Sequence, residues 1–172
     1  MNKPKSVEVG LQLGVFTVKG TWEPSAAERK AAWELYVELI TRVSVAPLQY
    51  GILREALTSF YSLFEASREI LRESGPEVAE PKPNGQYSFG FLTVALLNFG
   101  LRPVLSYWHP ELSAWESARP ADVSPIEHER NWPREPELRS QLEQTRLVTA
   151  EYAALLGAAC GVPDLRAAIP AR

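Results

Sequence analysis

Ten residues between Leu101 and Trp132 are of types that bind anions, stack or move protons: Arg102, Tyr107, Trp108, His109, Trp115, Glu116, Arg119, His128, Glu129 and Trp132. Both histidines of the chain and three of its five tryptophans fall within this stretch. Histidine and glutamate are the usual side chains of general acid–base chemistry near neutral pH. Arg102, beside Pro103, either pairs with carbonyls that a proline leaves free or forms an anion-binding fork in a pocket. Each residue also has a structural reading. Trp108 and Trp115 are seven apart, so on one helix they share a face and pack in a core. His109 precedes Pro110 and is placed to cap a helix or bond a carbonyl. Glu127-His128-Glu129 reads as a solvated helical face.

Other chemistries lack their parts. Two histidines without HExxH or paired ExxH spacing do not make a metal centre, so no metal and no cofactor is expected. Cys160 sits in the apolar helix end Ala158-Ala159-Cys160-Gly161, where a buried, inert thiol is expected. No G-x-S-x-G and no glycine-rich phosphate loop occurs. A net charge of −3 argues against a nucleic-acid partner, and Arg134, Arg139 and Arg146 alternate with Glu135, Glu137 and Glu143 instead of forming a basic stripe.

The elements that must position these residues are mostly helical. The chain has 172 residues, a length for one domain. Glutamate outnumbers aspartate 19 to 2, arginine outnumbers lysine 13 to 5, and alanine reaches 20, a bias toward good helix formers. Residues 6–22 are the exception. Val7, Val9, Leu11 and Leu13 alternate with polar or small residues, and Phe16 and Val18 resume the pattern after Gly14, which predicts a β-hairpin with an exposed edge at residues 7–13. Ser25-Ala-Ala-Glu28 is a capping box that starts a first helix, with Trp33, Val37, Ile40 and Val43 as its inward stripe, Tyr36 and Leu39 beside it, and Pro47 as its end. A second helix runs from about Ile52 to Arg72 with Leu53, Leu57, Phe60, Phe64 and Leu71 as its seam, ion pairs at Glu65–Arg68 and Glu69–Arg72, and Gly75-Pro76 as its stop. Residues 76–86 carry three prolines and predict an extended crossover.

The third helix, from Ser88 to Trp108, is apolar nearly all round, as for a helix buried on several sides. Gly100 and Pro103 predict a kink or break, and Pro110 a second interruption that starts a new helix ending near Arg119. Its uncharged stretch, Phe89 to Leu101, is too short to cross a bilayer core, so membrane contact is not expected. Ser124-Pro-Ile-Glu127 starts a short helix. The last long helix runs from about Glu137 to Cys160, capped by Gly161 and ended by Pro163. The expected architecture is a single domain, residues 1–172: a hairpin at 6–22, a four-helix bundle with a proline-kinked third helix at 25–161, and a tail at 162–172 that packs through Leu165 and Ile169 or frays. The N-terminal Met1-Asn-Lys-Pro-Lys5 has no apolar signal segment, so the expected location is cytoplasmic.

Three strings, Trp33-Glu-Leu-Tyr-Val-Glu-Leu39, Leu53-Arg-Glu-Ala-Leu-Thr-Ser-Phe-Tyr61 and Leu101-Arg-Pro-Val-Leu-Ser-Tyr-Trp-His-Pro110, resemble short bacterial helical proteins of unassigned function, some of which accompany multi-gene conflict or defence systems. The resemblance implies an accessory or adaptor role and carries no catalytic residues. The sequence therefore leads to a non-catalytic helical module that acts through protein–protein contact or self-association. The alternative is a small-molecule pocket, binding or catalytic, in which Arg102 holds an anion, Trp108 and Trp115 form walls and a histidine handles protons.

Overall fold

The computed structural model of the chain describes residues 4–42 and 51–169. It is mainly helical. Its described residues form strands β1 (Val7–Leu13) and β2 (Phe16–Trp22) and five helices: α1 (Ala26–Ile40), α2 (Leu53–Ser74), α3 (Phe89–Ser117), α4 (Pro125–Arg130) and α5 (Glu135–Cys160). Val43 and Pro47 lie outside the described residues.

The strands pair antiparallel, Val7 opposite Trp22 and Leu13 opposite Phe16, leaving Gly14-Val15 as a two-residue turn. Gly14 has φ +60, and a Cβ there would meet the Phe99 carbonyl oxygen at 3.0 Å. A left-handed first turn residue matches the right-handed strand twist, so glycine here serves the turn and the close approach to α3. The Gln12 amide donates to the Gly14 carbonyl at 2.7 Å and accepts from the Thr17 hydroxyl at 2.6 Å. The alternating apolar residues of β1, with Val18 and Trp22, are buried. They pack on α5, so the hairpin closes on its own chain.

α1 begins with the expected capping box: Ser25 Oγ accepts from the Glu28 N–H, and Glu28 reaches back to the Ser25 N–H at 2.7 Å. The same carboxylate is wholly buried and also receives Trp22 Nε1 (3.2 Å), the Phe89 N–H (2.9 Å) and Lys82 Nζ (2.5 Å). It thus ties the end of β2, the start of α1, the crossover and the start of α3 to one point. The buried face of α1 differs from the expected stripe. Ala32, Leu35, Tyr36 and Leu39 are buried, whereas Trp33 is largely exposed and Val37 and Ile40 are half-buried. The helix is sandwiched between α2 and α5, which need small alanines at the close approach more than a large indole. On α2 the seam runs through Leu53, Ala56, Leu57, Phe60, Leu63, Ser67 and Ile70, and Phe64 and Leu71 stand half-buried at its margin. Glu69 pairs with Arg72, but Glu65 and Arg68 form no ion pair among the described residues.

The crossover is not extended. It folds into two 3-10 turns, Pro76–Ala79 and Pro83–Gly85, because Val78 is pulled into the core and Lys82 is drawn to Glu28. Ser88 caps α3 through a bond from the Phe91 N–H. Within α3 the residues Leu96–Leu101 form a π-helical stretch that ends two residues before Pro103. A wider turn relieves the missing N–H and the ring clash of a proline in the following turn. α3 is also less enclosed than its composition implies, with Phe91, Val94 and Phe99 exposed along one side. It is long and apolar enough to cross a membrane by length and composition, and half of its most apolar window is buried within the fold. Pro110 does not interrupt it. Pro110 and Ser106 both lie at the exposed surface, where water rather than a backbone N–H is the donor available to a carbonyl facing a proline.

Gly161, at φ +68, ends α5 in the left-handed conformation. The Arg29 guanidinium bonds the Ala159 carbonyl there and the Pro4 carbonyl at 2.6 Å. The tail is fastened by hydrogen bonds more than by the Leu165 side chain, which is exposed: the Leu165 N–H donates to Tyr36 Oη at 2.9 Å, and the Arg166 guanidinium donates to the Ala150 carbonyl at 2.9 Å.

Candidate functional site

The residues singled out between Leu101 and Trp132 do not converge on one site. They divide among three places around α3.

The first is an aromatic cluster under Arg134. Trp108 and Trp132 are buried and cross edge-to-face at 6.0 Å, and Trp115 stacks beside Trp132. The Arg134 guanidinium lies 4.4 Å from the Trp108 ring centroid and 5.3 Å from that of Tyr107, and bonds Tyr107 Oη (2.9 Å), Glu111 (2.5 Å) and Glu137 (3.0 Å). These bonds, Glu137 first and then Tyr107, hold its pKa above the ordinary arginine value. Trp108 and Trp132 are therefore core, whereas Trp115, which shares a helix face with Trp108, packs against that core half-buried.

The second lies at the N-terminal end of α2. His128 is buried, its ring stacked on Trp115 at 4.5 Å. His128 Nε2 donates to the Trp115 carbonyl at 2.7 Å, and Trp115 Nε1 donates to the His128 carbonyl at 2.9 Å. This reciprocal pair clasps α4 to α3. Ile52, the residue preceding α2, offers no capping side chain, and Glu129 supplies the cap from α4: both its oxygens accept the Leu53 N–H, at 3.1 and 3.0 Å. Burial raises the Glu129 pKa, against the pull of the Leu53 N–H and of Arg139. The Glu127–Glu129 segment is thus not a solvated face: only Glu127 is exposed. Arg119 donates to the Val123 carbonyl at 2.5 Å and lines one pocket here with Trp115, Glu116, His128 and Glu129.

The third is a groove of about 500 Å³ between α2 and α3, lined by Tyr61, Phe64, Arg102, Leu105, Ser106, His109 and Pro110. Its volume is that of a small-molecule site. Arg102 and His109 are seven residues apart on one helix, which places them on the same face two turns from each other. Arg102 Nε donates to Asn98 Oδ1 at 2.9 Å, and its guanidinium carbon lies 5.3 Å from the centroid of Phe64. His109 is held from behind. Arg54 Nη1 lies 2.8 Å from His109 Nδ1, and the same guanidinium binds Ser113 Oγ (3.1 Å) and Glu116 (2.7 Å). A guanidinium only donates, so Nδ1 accepts and the ring proton sits on Nε2. Burial first, then the Arg54 charge, keep the His109 pKa below the ordinary histidine value, against the pull of Glu116. Nε2 is buried without a partner among the described residues, with the Tyr61 ring edge-to-face at 5.8 Å. An unpaired buried donor costs about 1–3 kcal/mol.

Of the ten residues, only Arg102 and His109 line this groove. Three that complete it or support it, Arg54, Tyr61 and Phe64, lie on α2, where sequence reading assigns Phe64 to the core seam and nothing to Arg54. The signal within reach was the seven-residue spacing of Arg102 and His109. Their partners on α2 depend on how two helices pack and have no sequence signature. Among the described residues, no three histidine, cysteine, aspartate or glutamate side chains are grouped to hold a metal ion.

One backbone feature stands apart from α3. Leu13 and Phe16 close the two-residue turn as a hydrogen-bonded pair, so the N–H and C=O groups of Glu8, Gly10 and Gln12 point away from β2. On β2 the corresponding outward carbonyls are used, Thr21 by the Tyr87 N–H at 3.0 Å and Lys19 by Tyr87 Oη at 3.4 Å. On β1 they meet no partner among the described residues, and the strand borders a groove whose other wall is Glu151, Ala154, Leu155 and Ala158 of α5, with Arg166. No family model, no curated protein and no solved structure matches this chain.

Proposed function

We propose that the protein is a non-catalytic helical interaction module whose working surface is the open edge of β1. The observation that carries this reading is the row of unpaired backbone groups at Glu8, Gly10 and Gln12 beside a groove with small residues, Ala154 and Ala158, on its far wall. An exposed edge is a template for a further strand, and main-chain bonds supply the affinity. The occupant is a second copy of the chain. Antiparallel pairing about Gly10 sets Glu8 of each copy against Gln12 of the other, with no like charges opposed. α1, α2, α3 and α5 act as a four-helix bundle behind this edge, with the turn between Gly100 and Pro103 as its bend. Such a dimer suits an accessory or adaptor component of a bacterial conflict or defence system, as the resemblance implies, working in the cytoplasm.

Light scattering during size-exclusion chromatography over a tenfold concentration range tests this. The expected result is a dimer that Glu8→Pro converts to monomer, because proline at an outward position removes an edge donor and leaves the β1–β2 ladder intact. A wild-type monomer throughout the range would sink the reading.

A further inference from the structure

We infer that the groove between α2 and α3 is a binding site for a small amphipathic carboxylate, its acid group on Arg102 and its apolar body along Phe64, Leu105 and Tyr61. This site is separate from the β1 edge and shares no residue with it.

Three observations converge. First, Arg102 is oriented but not neutralised. Its Nε is fixed by Asn98 and its guanidinium carbon lies over the Phe64 ring, while its two terminal nitrogens have no partner among the described residues. Arg54, Arg134 and Arg166, by contrast, are each closed on a carboxylate. An oriented guanidinium with both terminal donors free is the geometry that takes a carboxylate bidentately. Second, no carboxylate lines the groove, whose walls are otherwise phenyl, phenol, leucyl and prolyl surface with one serine. Third, the opposite end is electrically quiet. His109 is neutral by its bond from Arg54, and the Arg54 charge is spent on Glu116. The recognition charge is therefore confined to one end. A ligand with a single anionic group and an apolar body about two helical turns long, roughly 10 Å, fits this arrangement. A phosphate ester or dianion has no second cation to meet.

Titration of the ¹⁵N-labelled full chain with decanoate and with 4-phenylbutyrate, followed by amide and arginine Nε–H shifts, tests the site. 4-Phenylbutan-1-ol serves as the uncharged control. The expected result is saturable shifts at residues 61–64 and 102–110 with at least one of the two acids. The alcohol should bind about tenfold more weakly or less well still, because it offers no charge-assisted bond. Arg102→Gln should lower the acid's affinity by about tenfold, and Arg102→Lys by less. Ser106→Glu, at an exposed position that leaves the fold untouched, should abolish binding by placing a carboxylate beside the ligand's own. The inference is overturned if neither acid binds saturably, if the shifts map elsewhere, or if alcohol and acid bind alike. Equal affinity in Arg102→Gln overturns it too.

Discussion

Glu28 is the residue on which the fold most depends. Its carboxylate is inaccessible to water yet ionised, because Lys82 and two backbone N–H groups outweigh the effect of burial and hold its pKa below the ordinary glutamate value. The folded value lies below the unfolded one, so its contribution to stability is complete above the ordinary glutamate range and is lost as pH falls through the lower folded value. Removing one partner of a buried ion pair strands the other. Glu28→Ala is accordingly expected to lower unfolding stability by about 3–5 kcal/mol, read by urea denaturation at neutral pH. Glu28→Gln should also flatten the acid side of the stability curve. Glu129 runs the other way. Its raised pKa makes its contribution greatest at low pH and smaller as pH rises through the folded value.

Helix ends illustrate how elements are held. α1, the short α4 and α3 carry their own serine caps, Ser25, Ser124 and Ser88, all N-terminal to the helix they start. α2 has none and borrows Glu129, 76 residues away. Glu129→Ala should destabilise the protein by about 1 kcal/mol, the usual worth of an N-cap. Hydrogen exchange should locate the damage: faster exchange at Leu53 and through the first turn of α2, with α5 unchanged. Uniform acceleration across all helices would mean that Glu129 acts through global packing and not as a cap. The proline positions follow a related logic. Pro103 is matched by a π-helical stretch in the turn before it, whereas Pro110 on an exposed face needs no such change.

Across the whole molecule, the two proposed surfaces belong to different packing interfaces, β1 on α5 and α2 on α3. They share no lining residue, so their perturbations should add. Arg102→Gln should leave the oligomeric state unchanged, and Glu8→Pro should leave the affinity for 4-phenylbutyrate within about twofold. Light scattering and the same titration, run on both variants and the double variant, check this. Loss of ligand binding in Glu8→Pro would mean that the two surfaces are coupled through the fold.

Local chemistry set much of this architecture directly. The hairpin followed from period-2 alternation around Gly14, the start of α1 from Ser25 and Glu28, the short α4 from Ser124-Pro125, and the end of α5 from Gly161. Each is decided by residues close together in the chain, within four positions for the caps and within one short ribbon for the hairpin, and so it is legible along the chain. What required the tertiary structure was every pairing across distance: Lys82 with Glu28, Glu129 with the start of α2, Arg54 with His109, and Phe64 beneath Arg102. The same holds for the inward face of α1, where close helix approach buried alanines and turned Trp33 out. The ten candidate residues looked like one site because they are neighbours in sequence. Six of them lie on α3, which distributes its side chains around its axis, and four lie beyond it on or beside α4, so packing sent them to a core cluster, a helix cap and a groove.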